Sequence, residues 1–184
     1  MVVDVVGREG SLDGLIGAVE TAGFKRYSQL VRLARPAAAV SEAAPSTHEV
    51  TWAGKADAPA IMSLLEGSFD RYADQLPAPY ELEAAIEAKQ ILVIRVEQAL
   101  AALLFFETQG ATSTVRYWAV DERHRANRFG AALIRHYFNT QPAVRRFVLW
   151  VTADNKNAVE KYRHYGYTTD GLIDHVLVND KIRA

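Results

Sequence analysis

Hydrophobic and polar positions along this chain follow two periods, and their succession predicts a mixed α/β fold. Apolar, β-branched or aromatic runs at 2–6, 24–33, 48–52, 91–96, 99–107, 112–120, 147–152 and 172–178 predict strands. Between them, apolar residues recur at helical spacing. Leu12, Leu15, Ile16 and Val19 form one such stripe, and Ile61, Met62, Leu64 and Leu65 a second. Residues 82–89 predict a third helix, Phe129, Ala132, Leu133, His136 and Tyr137 a fourth, and Ala158, Val159, Tyr162 and Tyr165 a fifth. Gly23 stands where a helix C-cap goes, and Pro59 and Pro79 suit first helical turns. The polar pair Glu97-Gln98 predicts a hairpin turn, although it lacks Asn-Gly or Asp-Gly chemistry. Residues 35–47 (RPAAAVSEAAPST) carry no apolar period and read as a linker. The strand–helix–strand before it is too small for an independent core, so it is expected to dock on the main domain.

The stretch 117–137 (YWAVDERHRANRFGAALIRHY) puts a strand, a basic loop and a helix in direct succession. Such a loop presents the unpaired N–H groups of a helix start to an anion, with Arg123, Arg125 and Arg128 nearby. An ordinary solvated connection is the alternative.

Composition narrows the choice of ligand. Apolar residues make up 49% and charged residues 23% of 184, and the formal net charge is −1. A general nucleic-acid binder needs a basic excess, so a small anion fits the local arginines better than a polymer. The chain has no cysteine, which excludes disulfides, thiolate metal sites and a cysteine nucleophile. Arg95 and Glu97 interrupt the longest apolar run, and the first residues lack a signal-peptide pattern. The expected location is the cytoplasm.

The segment 147–167 (FVLWVTADNKNAVEKYRHYGY) sharpens this reading. Asn155, Ala158, Tyr162, Gly166 and Tyr167 reproduce the pattern N-x-x-A-x-x-x-Y-x-x-x-G-aromatic. This resembles the GCN5-related N-acetyltransferases, the GNAT superfamily. Upstream, the family carries R/Q-x-x-G-x-G/A at a strand–helix turn. Arg125 and Gly130 match it, whereas Arg128 stands where the family has glycine. The resemblance covers about residues 48–180.

The resemblance implies a GNAT fold: a mixed, mostly antiparallel sheet, splayed between two central parallel strands, flanked by helices. It implies acetyl-CoA as acyl donor and no metal. The loop Arg125, Ala126, Asn127, Arg128, Phe129, Gly130 and Ala131 would hold the pyrophosphate. Backbone groups of Trp118, Ala119 and Val120 would pair with the pantetheine arm, and Asn155 would contact the cofactor while capping its helix. Tyr162 would be the general acid toward the CoA thiolate; a core aromatic is the alternative. Glu107, Asp121, His124, Asp174 and His175 are open candidates for the base, and His136 reads as a core histidine.

Residues 14–36 look like the closing helix–Gly–aromatic–strand portion of the same fold. Residues 1–46 are therefore expected to be a non-catalytic βαβ half-fold, ahead of a complete domain at 47–184. That order is similar to the TDP-fucosamine N-acetyltransferase, a nucleotide-sugar enzyme. The expected acceptor is a small-molecule primary amine, with an amino sugar among the candidates. Neither nucleic acid nor membrane is expected as a partner, and a homodimer stays open. Acetylation of a protein or peptide amine, or an acyl-CoA-binding module without turnover, are the alternatives.

Overall fold

A computed structural model describes residues 1–37 and 48–179. Most of the expected linker, with the 46/47 boundary, lies outside the described residues. The chain forms a mixed α/β fold in which strands and helices divide into two compact units.

The first unit comprises Met1–Arg35, Asp70–Gln75 and Val148–Ala184. Its elements are β1 (Val2–Arg8), α1 (Asp13–Thr21), β2 (Lys25–Pro36), most of β7 (Arg146–Thr152), α5 (Lys156–His164) and β8 (Thr168–Val178). β8 is the hub: both β1 and β2 pair with it antiparallel. Val5, Leu12, Ile16, Ile173 and Leu177 close one face into a core, on which α1 lays its apolar side. Gly23, at φ +92°, ends the turn after α1, as a glycine past a helix C-terminus does. Side chains alternate across a strand, so Asp4, Val6 and Asp174 share the face away from that core. Two bulges interrupt the β2–β8 ladder. Tyr27 is the extra residue of one, between Arg26 and Ser28.

The second unit comprises Pro36–Phe69 and Leu76–Phe147. It holds β3 (Thr51–Trp52), α2 (Ala58–Ser68), α3 (Pro79–Glu87), β4 (Ile91–Val96), β5 (Ala99–Gln109), β6 (Thr112–Val120) and α4 (Phe129–Asn139). The strands lie in the order β6-β5-β4-β3. One face packs on α2 and α3 through Ile61, Leu65, Leu82 and Ile86 against Ile91, Val93, Leu103, Phe105 and Tyr117. The other face meets α4, where Tyr137 lies against Phe106 with ring centroids 4.8 Å apart. The buried Tyr137 hydroxyl and Ser113 hydroxyl are 2.6 Å apart, which satisfies two polar groups inside this layer.

Two departures from simple period two shape the second unit. Phe105 pairs with Tyr117 but Phe106 with Val115, so Arg116 is an extra residue in β6. This bulge turns Val115 toward the α4 face and Tyr117 toward the α2–α3 face, although their spacing in an unbroken strand would place them together. The hairpin at Glu97-Gln98 is made with φ +50° and +68°, the left-handed pair that a two-residue turn requires.

Candidate active site

Within the second unit, the residues after β6 make a short 3-10 turn, Glu122–Asn127, which leads directly into α4. Asp121 opens the turn by accepting from the Arg123 N–H at 2.9 Å and binding its guanidinium through both oxygens, at 3.0 and 2.8 Å. These contacts hold its carboxyl far below the usual range. Arg125 donates to Glu122 at 2.7 Å. Two arginines of the expected anion cluster are thus occupied by neighbouring carboxylates, and among the described residues Arg128 has no ion-pair partner.

Arg128 joins the turn to the helix at φ 57°, ψ 21°, the left-handed conformation. A side chain there costs ~1–2 kcal/mol, which is why glycine is the usual occupant. The loop therefore keeps a glycine-type backbone shape with an arginine in place, and the exposed guanidinium is added to it. Arg128 makes no side-chain cap, and the first turn of α4 contains no acidic residue. By helix geometry, its leading N–H groups are left for an external acceptor.

Gly130 serves a different need. A Cβ on it would meet Trp118 Nε1 at 3.2 Å, so the missing side chain lets β6 and the helix start approach closely. The loop residues Ala126 and Asn127 are exposed with Arg125 and Arg128, and Ala131 is half-buried in the first helical turn. Phe129 is different: its ring is buried between His48, 4.8 Å away, and His124, 5.7 Å away. Only its backbone is left for a ligand. Likewise Ala119 points its side chain into the core, with Trp118 and Val120 half-buried on the opposite face. The structure thus brings the expected cofactor residues 118–120 and 125–131 together in one unit.

Asn155 and Tyr162 lie in the first unit, on α5. Asn155 caps the helix, its Oδ1 accepting from the Ala158 N–H at 3.1 Å. No residue of α5 is fully buried; Ala158, Val159 and Tyr162 form a half-buried stripe. The Tyr162 ring meets Tyr167 edge-on at 6.3 Å between centroids. Burial, with the negative charge of Asp74, pushes its phenol up to about 12. It therefore bears its proton at neutral pH.

The open candidates for a base separate on this geometry. Glu107 is ion-paired with Arg116 at 3.1 Å, and Asp121 is held ionised by Arg123. His124 is engaged with Phe129 in the loop. Among the described residues the buried Oδ1 of Asp174 has no hydrogen-bond partner, and burial with the charge of Asp4 pushes the carboxyl up to about 6. His136 is half-buried on α4, which holds it below its ordinary value. One carboxylate escaped the sequence reading altogether: Asp74, whose negative charge adds to the upward shift of the Tyr162 phenol. A run of two aspartates four apart between helices (DRYAD) was the available signal.

Among the described residues there is no cluster of metal-ligating side chains, and no helix long and apolar enough to cross a membrane. No curated protein matches the sequence. Solved structures do resemble the fold. A GCN5-related N-acetyltransferase from Kribbella flavida matches 97% of this chain and 68% of its own at 16% identity, with a TM-score of 0.65. A tandem GNAT protein from the clavulanic acid biosynthesis pathway matches at 14% identity and TM-score 0.62; the chain covers 62% of it, with 96% of the chain aligned. A Mycobacterium tuberculosis protein solved in complex with CoA matches 65% of this chain and 71% of its own at 17% identity, with a TM-score of 0.55. At these identities the likeness is one of fold. Residues 58–167, more than half of the chain, match the model of the Acetyltransferase (GNAT) family, and the chain belongs to that family.

Proposed function

We propose that the protein transfers an acetyl group from acetyl-CoA to a primary amine of a small molecule, by direct attack in a ternary complex. The observation that carries this reading is the left-handed backbone of Arg128 at an uncapped helix start, in a chain of the GNAT family. A helix start without a side-chain cap leaves the leading N–H groups of 129–131 for an acceptor, as a pyrophosphate site needs. Arg128 adds an exposed cation, so its side chain supplements the cradle by lying over a phosphate.

The remaining roles accord with the family pattern. Trp118, Ala119 and Val120 pair through their backbone with the pantetheine arm, and the bulge at Arg116 frees a backbone N–H in the same strand for the thioester oxygen. Asn155 contacts the cofactor from its cap position. Tyr162 protonates the departing thiolate, a role supported by a phenol that keeps its proton at neutral pH. With no cysteine in the chain, an acyl-cysteine intermediate has no residue to form on. The partial-before-complete order of segments puts amino sugars among the acceptors to try, beside diamines and amino-acid esters.

The test is product analysis: acetyl-CoA is incubated with the protein and a panel of amines, and acetylated amine is sought by mass spectrometry. Acetylated product from at least one small amine supports the reading. Tight acetyl-CoA binding with no acetylated product, or acetylation of peptide amines alone, contradicts it.

A further inference from the structure

β1 is the outer strand of the first unit. It pairs with β8 on one side only, and the ladder runs unbroken from Val2 opposite Val178 to Arg8 opposite Leu172. The Asn179 N–H donates to the Met1 carbonyl at 3.0 Å, which fixes the alternation. Odd residues of β1 turn their N–H and C=O groups to β8, and even residues turn theirs outward. Two further contacts agree with this. The Arg8 carbonyl accepts from Ser11, and the Leu172 N–H opposite it donates to the Asp170 carboxylate. Val2, Asp4, Val6 and Arg8 therefore carry the outer polar edge, and their side chains share one face. Asp4, Val6 and Arg8 are exposed there, Val6 by half.

An edge of this kind attracts a further strand unless the sequence blunts it. The second unit shows such blunting: its outermost strand, β3, is cut to two residues. β1 keeps seven residues, with neither proline, lysine nor bulge. Apolar exposure gathers beside it. Among the described residues, five large apolar side chains are exposed, and three of them, Met1, Val6 and Leu15, lie at β1 or on the helix packed against it.

We propose that this edge takes a second copy of the chain, the two β1 strands pairing antiparallel across a two-fold axis at Val6. The contact is isologous and closes at two copies. Charge selects both the occupant and the register. Centred on Val6, the pairing sets Asp4 opposite Arg8 of the second copy, Arg8 opposite its Asp4, and Val6 against Val6. Opposite charges directly across a ladder stabilise it, and like charges oppose it. Centred on Asp4 instead, the strands would set Asp4 against Asp4. All three favoured pairs join even positions, so outward backbone groups meet. Val6 exchanges N–H···O bonds with its copy, and the Arg8 N–H meets the Asp4 carbonyl. The Asp4 carboxylate accepts from the Gln75 amide and has capacity for a guanidinium besides. The Arg8 side chain lies beside Gly171 and turns outward to make the pair. An edge charge that would deter an unrelated strand thus admits the chain's own.

Sedimentation equilibrium of the full chain tests the assembly, and paired charge changes test the register. The wild type should be a dimer. Asp4→Arg and Arg8→Asp should each raise its dissociation constant ~10-fold or more, since each sets like charges across both ends of the ladder. Mixed in equal amounts, the two variants should pair with each other, and the double variant should dimerise as wild type does. The chain has no cysteine, so an introduced one reports position cleanly. Val6→Cys should cross-link to its copy under mild oxidation, the Cα atoms being ~5.5 Å apart. Val2→Cys, ~27 Å from its copy in this register, should not. Val6→Pro removes an outward N–H that β8 does not use, so it should be monomeric with unchanged circular dichroism. That variant decides the matter where a charge variant misfolds. A monomeric wild type overturns the proposal and leaves the edge to a strand of another protein. A dimer unmoved by Val6→Pro, or a double variant that stays apart, overturns it too.

Discussion

Trp118 occupies the space that any side chain at residue 130 would need: a Cβ on Gly130 would lie 3.2 Å from the indole Nε1. Because that contact joins the end of β6 to the first turn of α4, it sets how the helix start is presented. Gly130→Ala should leave the fold intact but push the indole and the first turn apart by a few tenths of an ångström. Acetyl-CoA affinity should fall several-fold, about 1 kcal/mol, measured by calorimetry, and Trp fluorescence should shift with it. An affinity equal to wild type would mean the close approach does not shape the ligand site.

Arg128 offers a separation of stability from binding. Its left-handed backbone is strained for any residue but glycine. Arg128→Gly removes that strain, partly offset by the greater freedom of glycine in the unfolded chain. A net gain of up to ~1 kcal/mol would raise Tm by ~2–4 °C. The same variant loses the exposed guanidinium, so acetyl-CoA should bind more weakly while the protein melts later. Calorimetry beside thermal melts checks both signs; unchanged affinity would show that the side chain does not touch phosphate.

Asp174 predicts a pH dependence of stability. Its carboxyl is raised from 3.8 to about 6, so the folded chain holds a proton there that the unfolded chain has released. Stability from this group is full below pH 3.8 and declines as pH rises through about 6. Asp174→Asn removes the penalty of an ionised, buried oxygen facing Asp4. The variant should melt higher than wild type at pH 8, with the gap closing toward pH 4. A gap that is constant with pH would place the effect in packing instead.

Much of the fold was legible in the sequence because it is local, and so was the spacing of the candidate residues on α5. Asn155, Ala158, Tyr162 and Gly166 sit on one helix and its ends, so spacing alone aligns them. The strands 91–96 and 112–120 and the helix starts at Pro59 and Pro79 are set by apolar period and by proline. What escaped depends on contacts far apart in the chain. The bulge at Arg116 leaves no trace in composition, yet it decides which faces Val115 and Tyr117 occupy. The hairpin at Glu97-Gln98 accepts strained residues because the flanking ladder fixes it. The hydrogen bond from Tyr27 to Asp70, 43 residues on, likewise has no local signal. The sequence also overstated the arginine cluster, since Asp121 and Glu122 take up two of its members.

The account stands most directly on Tyr162. Its phenol, pushed up to about 12, should stay protonated across the working range. Release of CoA thiol is therefore measured for wild type and Tyr162→Phe from about pH 6 to about pH 10, with a saturating amine. The wild type should turn over with no alkaline decline from this group, and Tyr162→Phe should bind acetyl-CoA normally but release thiol ~10²–10⁴-fold more slowly. Equal thiol release by the two proteins would contradict the general-acid assignment. Absence of release by the wild type would contradict acetyl transfer itself.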